Sequence, residues 1–212
     1  MKELCDRESG WLRVCNVAVA VAQGELGILK KTLEESPMEE AETLQEIILQ
    51  CHLFCGYPRS INGMKIFGEV FSVSGLGESS PSQWREEGEA LCEEIYGRAY
   101  EKLLQKIEDL HPALKNWMLE TGYGRVLSRK GASIQERELG VVAVLIGQRV
   151  GPQLSSHLRG ALRVGIPEDF LASLLAGSKG WWGETCQREA LETWERVLNA
   201  WRQADTAINT SC

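Results

Sequence analysis

Apolar positions along the chain recur at helical spacing and seldom alternate as they would in a half-buried strand. Leu44, Ile47, Ile48 and Cys51 mark one face of a helix expected to run from Pro37 to Cys55. Ser36-Pro37-Met38-Glu39 reads as its start, with an N-cap, an N1 proline and a capping-box glutamate. Ser133-Ile134-Gln135-Glu136 is a second capping box, ahead of an apolar helix that ends near Gln148. The stretch from Trp84 to Leu110 predicts one long charged helix that buries Leu91, Ile95, Tyr100, Leu103, Leu104 and Ile107. Pro152 and Pro167 stand where further helices can begin, and Gly183 to Ala204 predicts an amphipathic helix anchored by Leu191, Trp194 and Val197. Val17 to Ala22 is the one run ambiguous between strand and helix. The pattern therefore predicts an all-α fold.

Periodicity lapses from Ser72 to Gln83, where Gly, Ser and Pro dominate. That linker divides the chain into a first unit, residues 1–75, and a second, residues 84–212, with extra leading helices. The units carry a weak internal repeat. Val14–Ala22 resembles Val141–Arg149, and each is followed by a leucine-containing polar helix and a proline-led acidic start. An apolar helix follows, closing at Cys55-Gly56 in one unit and Trp182-Gly183 in the other. Two pseudo-symmetric units are expected, neither able to bury its apolar helix alone.

Composition narrows the function. With 23 basic and 30 acidic residues the net charge is −7, a poor match to a phosphate backbone, so no nucleic-acid partner is expected. The longest apolar run, Val14–Ala22, falls far short of the roughly 20 residues of a membrane span, so no membrane partner is expected either. Seven cysteines, an odd number in a chain of this size without a signal-like start, suggest reduced thiols and a cytoplasmic location.

The segment Gly124–Gly165 is similar to the core of the carboxymuconolactone decarboxylase family. Arg129, Gly131, Arg137, His157, Leu158, Arg159, Ala161 and Gly165 carry the resemblance; Leu49–Asn62, with its cysteine-glycine-x-proline turn, resembles that family's closing motif. The resemblance implies an alkylhydroperoxidase-D-like helical bundle, a small-molecule substrate, no metal or organic cofactor, and a homo-oligomer, for which a tandem chain favours a trimer.

Two chemistries follow from the resemblance. The peroxidase branch places a CxxC just before its histidine and a glutamate on the preceding helix. Glu138 and His157 match the glutamate–histidine spacing, yet no cysteine lies between them, and peroxide reduction needs a thiolate. Cys51 and Cys55 are the alternative thiol pair, but one helical turn is a poor spacing for a disulfide. The decarboxylase branch needs a proton donor and cations for carboxylates. His157 is the candidate donor, tuned by Glu138, and Arg129, Arg137, Arg149, Arg159 and Arg163 are the cations nearby in sequence, the first three being the candidate carboxylate holders. Each unit keeps one motif and lacks the other, so one composite site is expected, joining His157 to Cys55 and Tyr57 of the first unit's turn. The position matching His157 in the first unit is expected between Gly27 and Lys31. A non-catalytic member, whose remaining motifs serve assembly or ligand binding, is the third reading.

Overall fold

The computed structural model describes the backbone of residues 2–72 and 75–209 and the side chains of 6–72 and 75–203. These residues form helices and connecting turns, with no strand among them. The first unit comprises α1 (Lys2–Gln23), α2 (Leu26–Glu34), α3 (Ala41–Gln50), α4 (His52–Cys55) and α5 (Tyr57–Val70). Helices α6 (Pro81–Tyr96), α7 (Tyr100–Leu110) and α8 (Pro112–Trp117) follow, then a π-helix over Met118–Leu127. The chain continues through α9 (Ile134–Gln148), α10 (Gly151–Arg163), α11 (Glu168–Gly177) and α12 (Lys179–Asn209).

Helix α9 is the axis of the molecule. Every residue from Arg137 to Ile146 is buried, so the helix has no solvent face along that stretch. Helix α1 lies against it, with the Cys15 thiol 3.8 Å from Leu139 O, and Val17–Ala22 is helix. One apolar core takes residues from both units, so neither half closes without the other. A smaller core of Cys92, Ile95, Tyr96, Tyr100, Leu119, Tyr123 and Leu127 joins α6, α7 and the π-helix.

Three helix boundaries differ from the sequence expectation. Ser36 does not cap the next helix: its hydroxyl donates to Thr32 O at 2.6 Å, ending α2 instead. Pro37 is extended and leads into a 3₁₀ turn at Met38–Glu40, so α3 begins only at Ala41. The long helix over Trp84–Leu110 is two helices, parted by Gly97 at φ 50°, ψ −126°, a conformation outside the helical region. That break turns the apolar face of α7 away from the core. Tyr100 alone among the α7 residues is buried, while Leu103, Leu104 and Ile107 are half-covered. The Ser133 box forms as expected: Glu136 N–H donates to Ser133 Oγ at 3.3 Å, and Ser133 N–H to Glu136 Oε2 at 2.7 Å.

The repeat is visible in the backbone. Helices α1, α2 and α5 neighbour one another in the first unit as α9, α10 and α12 do in the second, and α3 lies on α5 as α11 lies on α12; the packing of α1 on α3 has no counterpart of similar extent between α9 and α11. The closing turns break at Gly56 (φ 79°, ψ 161°) and Gly183 (φ 80°, ψ 174°), nearly the same conformation. Each unit clasps the other's turn: Gln23 Nε2 donates to Trp181 O, and Gln148 Nε2 to Phe54 O. These glutamines fix the register, which is two residues away from the one expected, with the helix ends pairing Gln23 with Gln148. Counted from the helix ends at Gly24 and Arg149, His157 corresponds to Thr32, just outside the expected window, and Glu138 corresponds to Arg13. Arg13 pairs with Glu40, and the Thr32 hydroxyl bonds its own helix.

The Gly56 and Gly183 conformations are open essentially to glycine alone. A Cβ at Gly183 would meet nothing within 4 Å, and one at Gly56 only Pro58 Cδ at 3.7 Å, so the cost of a side chain is purely backbone strain. Gly56→Ala and Gly183→Ala should each lower unfolding stability by about 1–3 kcal/mol in urea titrations. Equal stability to the parent at either position would show that the turn relaxes.

Candidate functional site

Glu138 is sealed in the axis helix, with a side chain 1% exposed, and needs a partner to remain there. His157 on α10 supplies it: Nδ1–H donates to Oε2 at 3.0 Å and lies 3.2 Å from Oε1. Space for the carboxylate comes from Gly160, where a Cβ would stand 2.8 Å from Glu138 Oε2 and 2.7 Å from Ile95 Cγ2. With Nδ1 engaged, Nε2 is the ring nitrogen free for other chemistry.

His157 borders a cavity of about 660 Å³. Its walls are mostly apolar, from Leu53, Phe54, Leu103, Ile107, Met118 and Leu127. The rings of Phe54 and Tyr96 flank the imidazole edge-on, each with its centroid 6.4 Å away. Tyr123 donates its hydroxyl proton to Tyr96 at 3.0 Å, and burial raises both phenols above their usual range, keeping them neutral. Cys92 lies behind this wall. Burial, and secondarily the nearby Glu138 charge, push its thiol up to about 12, so it stays protonated.

Three cations line the same cavity: Lys106 from α7, Arg159 from α10 and Arg196 from α12. Arg159 bonds Ser155 Oγ at 2.9 Å, and Arg196 bonds Thr193 Oγ1 at 3.0 Å. None of the three has a carboxylate partner among the described residues. They form the electropositive side of a site whose one acid, Glu138, is already engaged.

The arginines expected to hold substrate lie elsewhere. Arg129 grips Glu46 of α3 with Nε at 2.8 Å and Nη2 at 2.9 Å. Arg137 reaches the same carboxylate at 3.2 Å and bonds Arg129 O at 2.6 Å and Gln50 Oε1 at 3.2 Å. Glu46 is fully buried, and the cluster ties the first unit to the second. Burial draws the Arg137 pKa down, opposed by Glu46, whereas the hydrogen bond to Glu46 raises that of Arg129. Arg149 sits at the exposed end of α9 and pairs with Glu189 at 2.9 Å through Nε. None of the three lines the His157 cavity. The spacing of Arg129 and Arg137 from His157 along the chain carried no information about α3, which claims both.

The first unit's turn does reach the site, but through different residues than expected. Leu53 and Phe54 enter the cavity, while Cys55 and Tyr57 do not line it. The break at Gly56 sends Tyr57 to another side, where it is 64% exposed and stacks on His52 with centroids 4.8 Å apart. Cys55 is half-buried and donates to Cys51 O at 2.9 Å; both thiols are free. Contact with Cys51 and the Arg59 charge lower the Cys55 pKa, against the effect of its burial, while contact with Cys55 and burial raise that of Cys51. Lys106 was the recoverable signal: it shares a helical face with Leu103 and Leu110, and a lysine inside an apolar stripe marks a lined cavity. Arg196, 39 positions beyond His157, left none. Among the described residues no cluster of three or more His, Cys, Asp or Glu side chains is arranged to hold a metal, and no helix is long and apolar enough to cross a membrane.

No family model matches the chain. It is similar to "Peroxisomal protein 2" of Schizosaccharomyces pombe, at 28% identity over 69% of this chain and 72% of that protein. It is also similar to the protein of the same name from Saccharomyces cerevisiae, at 26% identity over 61% of this chain. The second match spans 57% of the yeast protein's length.

Removing one partner of a buried ionic cluster leaves the other charge uncompensated. Arg137→Met should therefore cost about 3–5 kcal/mol of unfolding stability. A ligand bound in the His157 cavity should keep its affinity in the folded variant, measured by calorimetry; a large loss of affinity with unchanged stability would return Arg137 to the role of substrate holder.

Proposed function

We propose that the chain is a carboxymuconolactone decarboxylase-like enzyme that moves protons without a cofactor, using His157 as its acid on a small carboxylated lactone or related acid. The observation that carries this reading is the buried Glu138–His157 pair at the wall of a cavity lined by three cations without carboxylate partners. Lys106, Arg159 and Arg196 take the place of Arg129, Arg137 and Arg149 as the groups that hold substrate carboxylates. The C–COO⁻ bond breaks, carbon dioxide leaves, and the electron pair delocalises into the substrate's conjugated carbonyl. The imidazolium of His157 then gives its Nε2 proton to carbon, and water restores it. Glu138 stabilises the imidazolium and fixes its tautomer. The apolar walls exclude water, which strengthens the cationic field felt by the substrate.

The thiol reading keeps one specific support, the lowered pKa of half-buried Cys55. Its partner Cys51 is sealed at 1% exposure, and neither residue borders the His157 cavity, so that chemistry would run apart from the dyad.

We also propose a homotrimer, with the exposed apolar side chains of Leu110, Leu114 and Trp117 on α7 and α8 as contact residues. For location, the cytoplasm remains our reading from the free thiols; the name of the two relatives raises the peroxisome, and a fluorescent fusion distinguishes them.

Turnover of a panel of carboxylated lactones and β-keto acids, followed by NMR in D₂O, tests the mechanism. The expected result is carbon dioxide release with one deuterium at the carbon that bore the carboxylate, and a kcat reduced about 10²–10⁴-fold in His157→Asn. Turnover by His157→Asn at the parent rate would remove the imidazole from the mechanism. Sedimentation at a single chain mass would remove the trimer.

A further inference from the structure

A second cavity, about 560 Å³ in volume, lies between α3–α5 of the first unit and the π-helix. It shares no lining residue with the His157 cavity. Its walls include Leu49, Ile61, Met64, Leu76 and Val126. Ser60 also lines it; the residue is 5% exposed, and its Oγ has no hydrogen-bond partner among the described residues.

That orphan is unlike the other helical hydroxyls. A serine or threonine in a helix ordinarily returns its proton to the carbonyl four residues earlier. Thr32, Ser36, Ser156 and Thr193 all do so here. For Ser60 the fourth residue back is Gly56, which is not helical, at φ 79°, ψ 161°. The Ser60 hydroxyl makes no such bond and is left buried and unpartnered at the cavity wall. His52, on the same wall, donates Nδ1–H to Leu49 O at 2.7 Å, so Nε2 of the neutral ring is an acceptor. The arginines of this wall are already engaged, Arg125 by Glu78 and Arg129 by Glu46. Lys65, exposed, is the lining cation without an ion-pair partner among the described residues.

We propose that this cavity is a second ligand site, taking a neutral and mainly apolar alcohol whose hydroxyl bonds the Ser60 hydroxyl. An alcohol oxygen can accept from Ser60 and donate to His52, which matches one donor and one acceptor set in apolar walls. A carboxylate would instead leave the His52 acceptor unmatched. The site stands apart from the dyad and does not depend on the reaction proposed for it.

Methionine methyl NMR provides a reporter in each cavity, Met64 here and Met118 beside His157. 1-Decanol is the probe, with Met64→Leu assigning the resonance. Saturable shifts of Met64 without shifts of Met118 are expected. Ser60→Ala, with its fold checked by circular dichroism, should weaken decanol binding about 5–10-fold, the effect of one hydrogen bond; Ser60→Cys serves if the alanine variant does not fold. The proposal is overturned if only Met118 responds, if decanol binds the Ser60 variant unchanged, or if decanoate binds more tightly than decanol. It is equally overturned if Met64 shifts with protein concentration alone, since a second copy of the chain then fills the cavity.

Discussion

A stretch of helix with no solvent face must satisfy every polar side chain it carries, and the buried part of α9 carries two ionisable ones in succession, Arg137 and Glu138. Successive residues point about 100° apart, so their partners come from different directions. Arg137 turns to Glu46 and Gln50 of the first unit, whereas Glu138 turns to His157 of its own unit. The first pairing holds the halves together, and the second holds an imidazole in fixed orientation at a cavity wall. Both derive from one requirement, that charge removed from water be matched.

The closing turns complete the arrangement. Glycine at positions 56 and 183 reverses the local geometry, and the crossed glutamine bonds place each turn against the other unit. Leu53 and Phe54 thereby become walls of a cavity whose histidine belongs to the second unit. One turn beyond Gly56, the buried Ser60 hydroxyl is left without a hydrogen-bond partner among the described residues.

Much of the helical pattern was legible because it is local. The Ser133 box, Pro152, Pro167 and the tail beyond Gly183 declare themselves within a few residues, and the structure has each of them in or at the start of a helix. Glu138 and His157 were legible through the family resemblance, whose glutamate–histidine spacing they match. The tertiary partners were not. Nothing near Arg129 or Arg137 along the chain announces Glu46, and arginines that look free in sequence are consumed by a carboxylate 83 or 91 positions away. The break at Gly97 escaped notice because apolar spacing continues across it. Tyr57 was misplaced for a related reason: adjacency to Phe54 in the chain does not survive a glycine with positive φ.

The equivalence of Thr32 with His157, and of Arg13 with Glu138, has a wider bearing. The duplicated frame is redundant in shape but not in chemistry. Its first copy lends Leu53 and Phe54 to the pocket beside His157 and carries the Arg13–Glu40 pair at the place of the second copy's dyad. Its second copy must keep the buried Glu138–His157 pair matched as well as packed. Sequence drift should therefore fall unevenly on two halves that share one architecture.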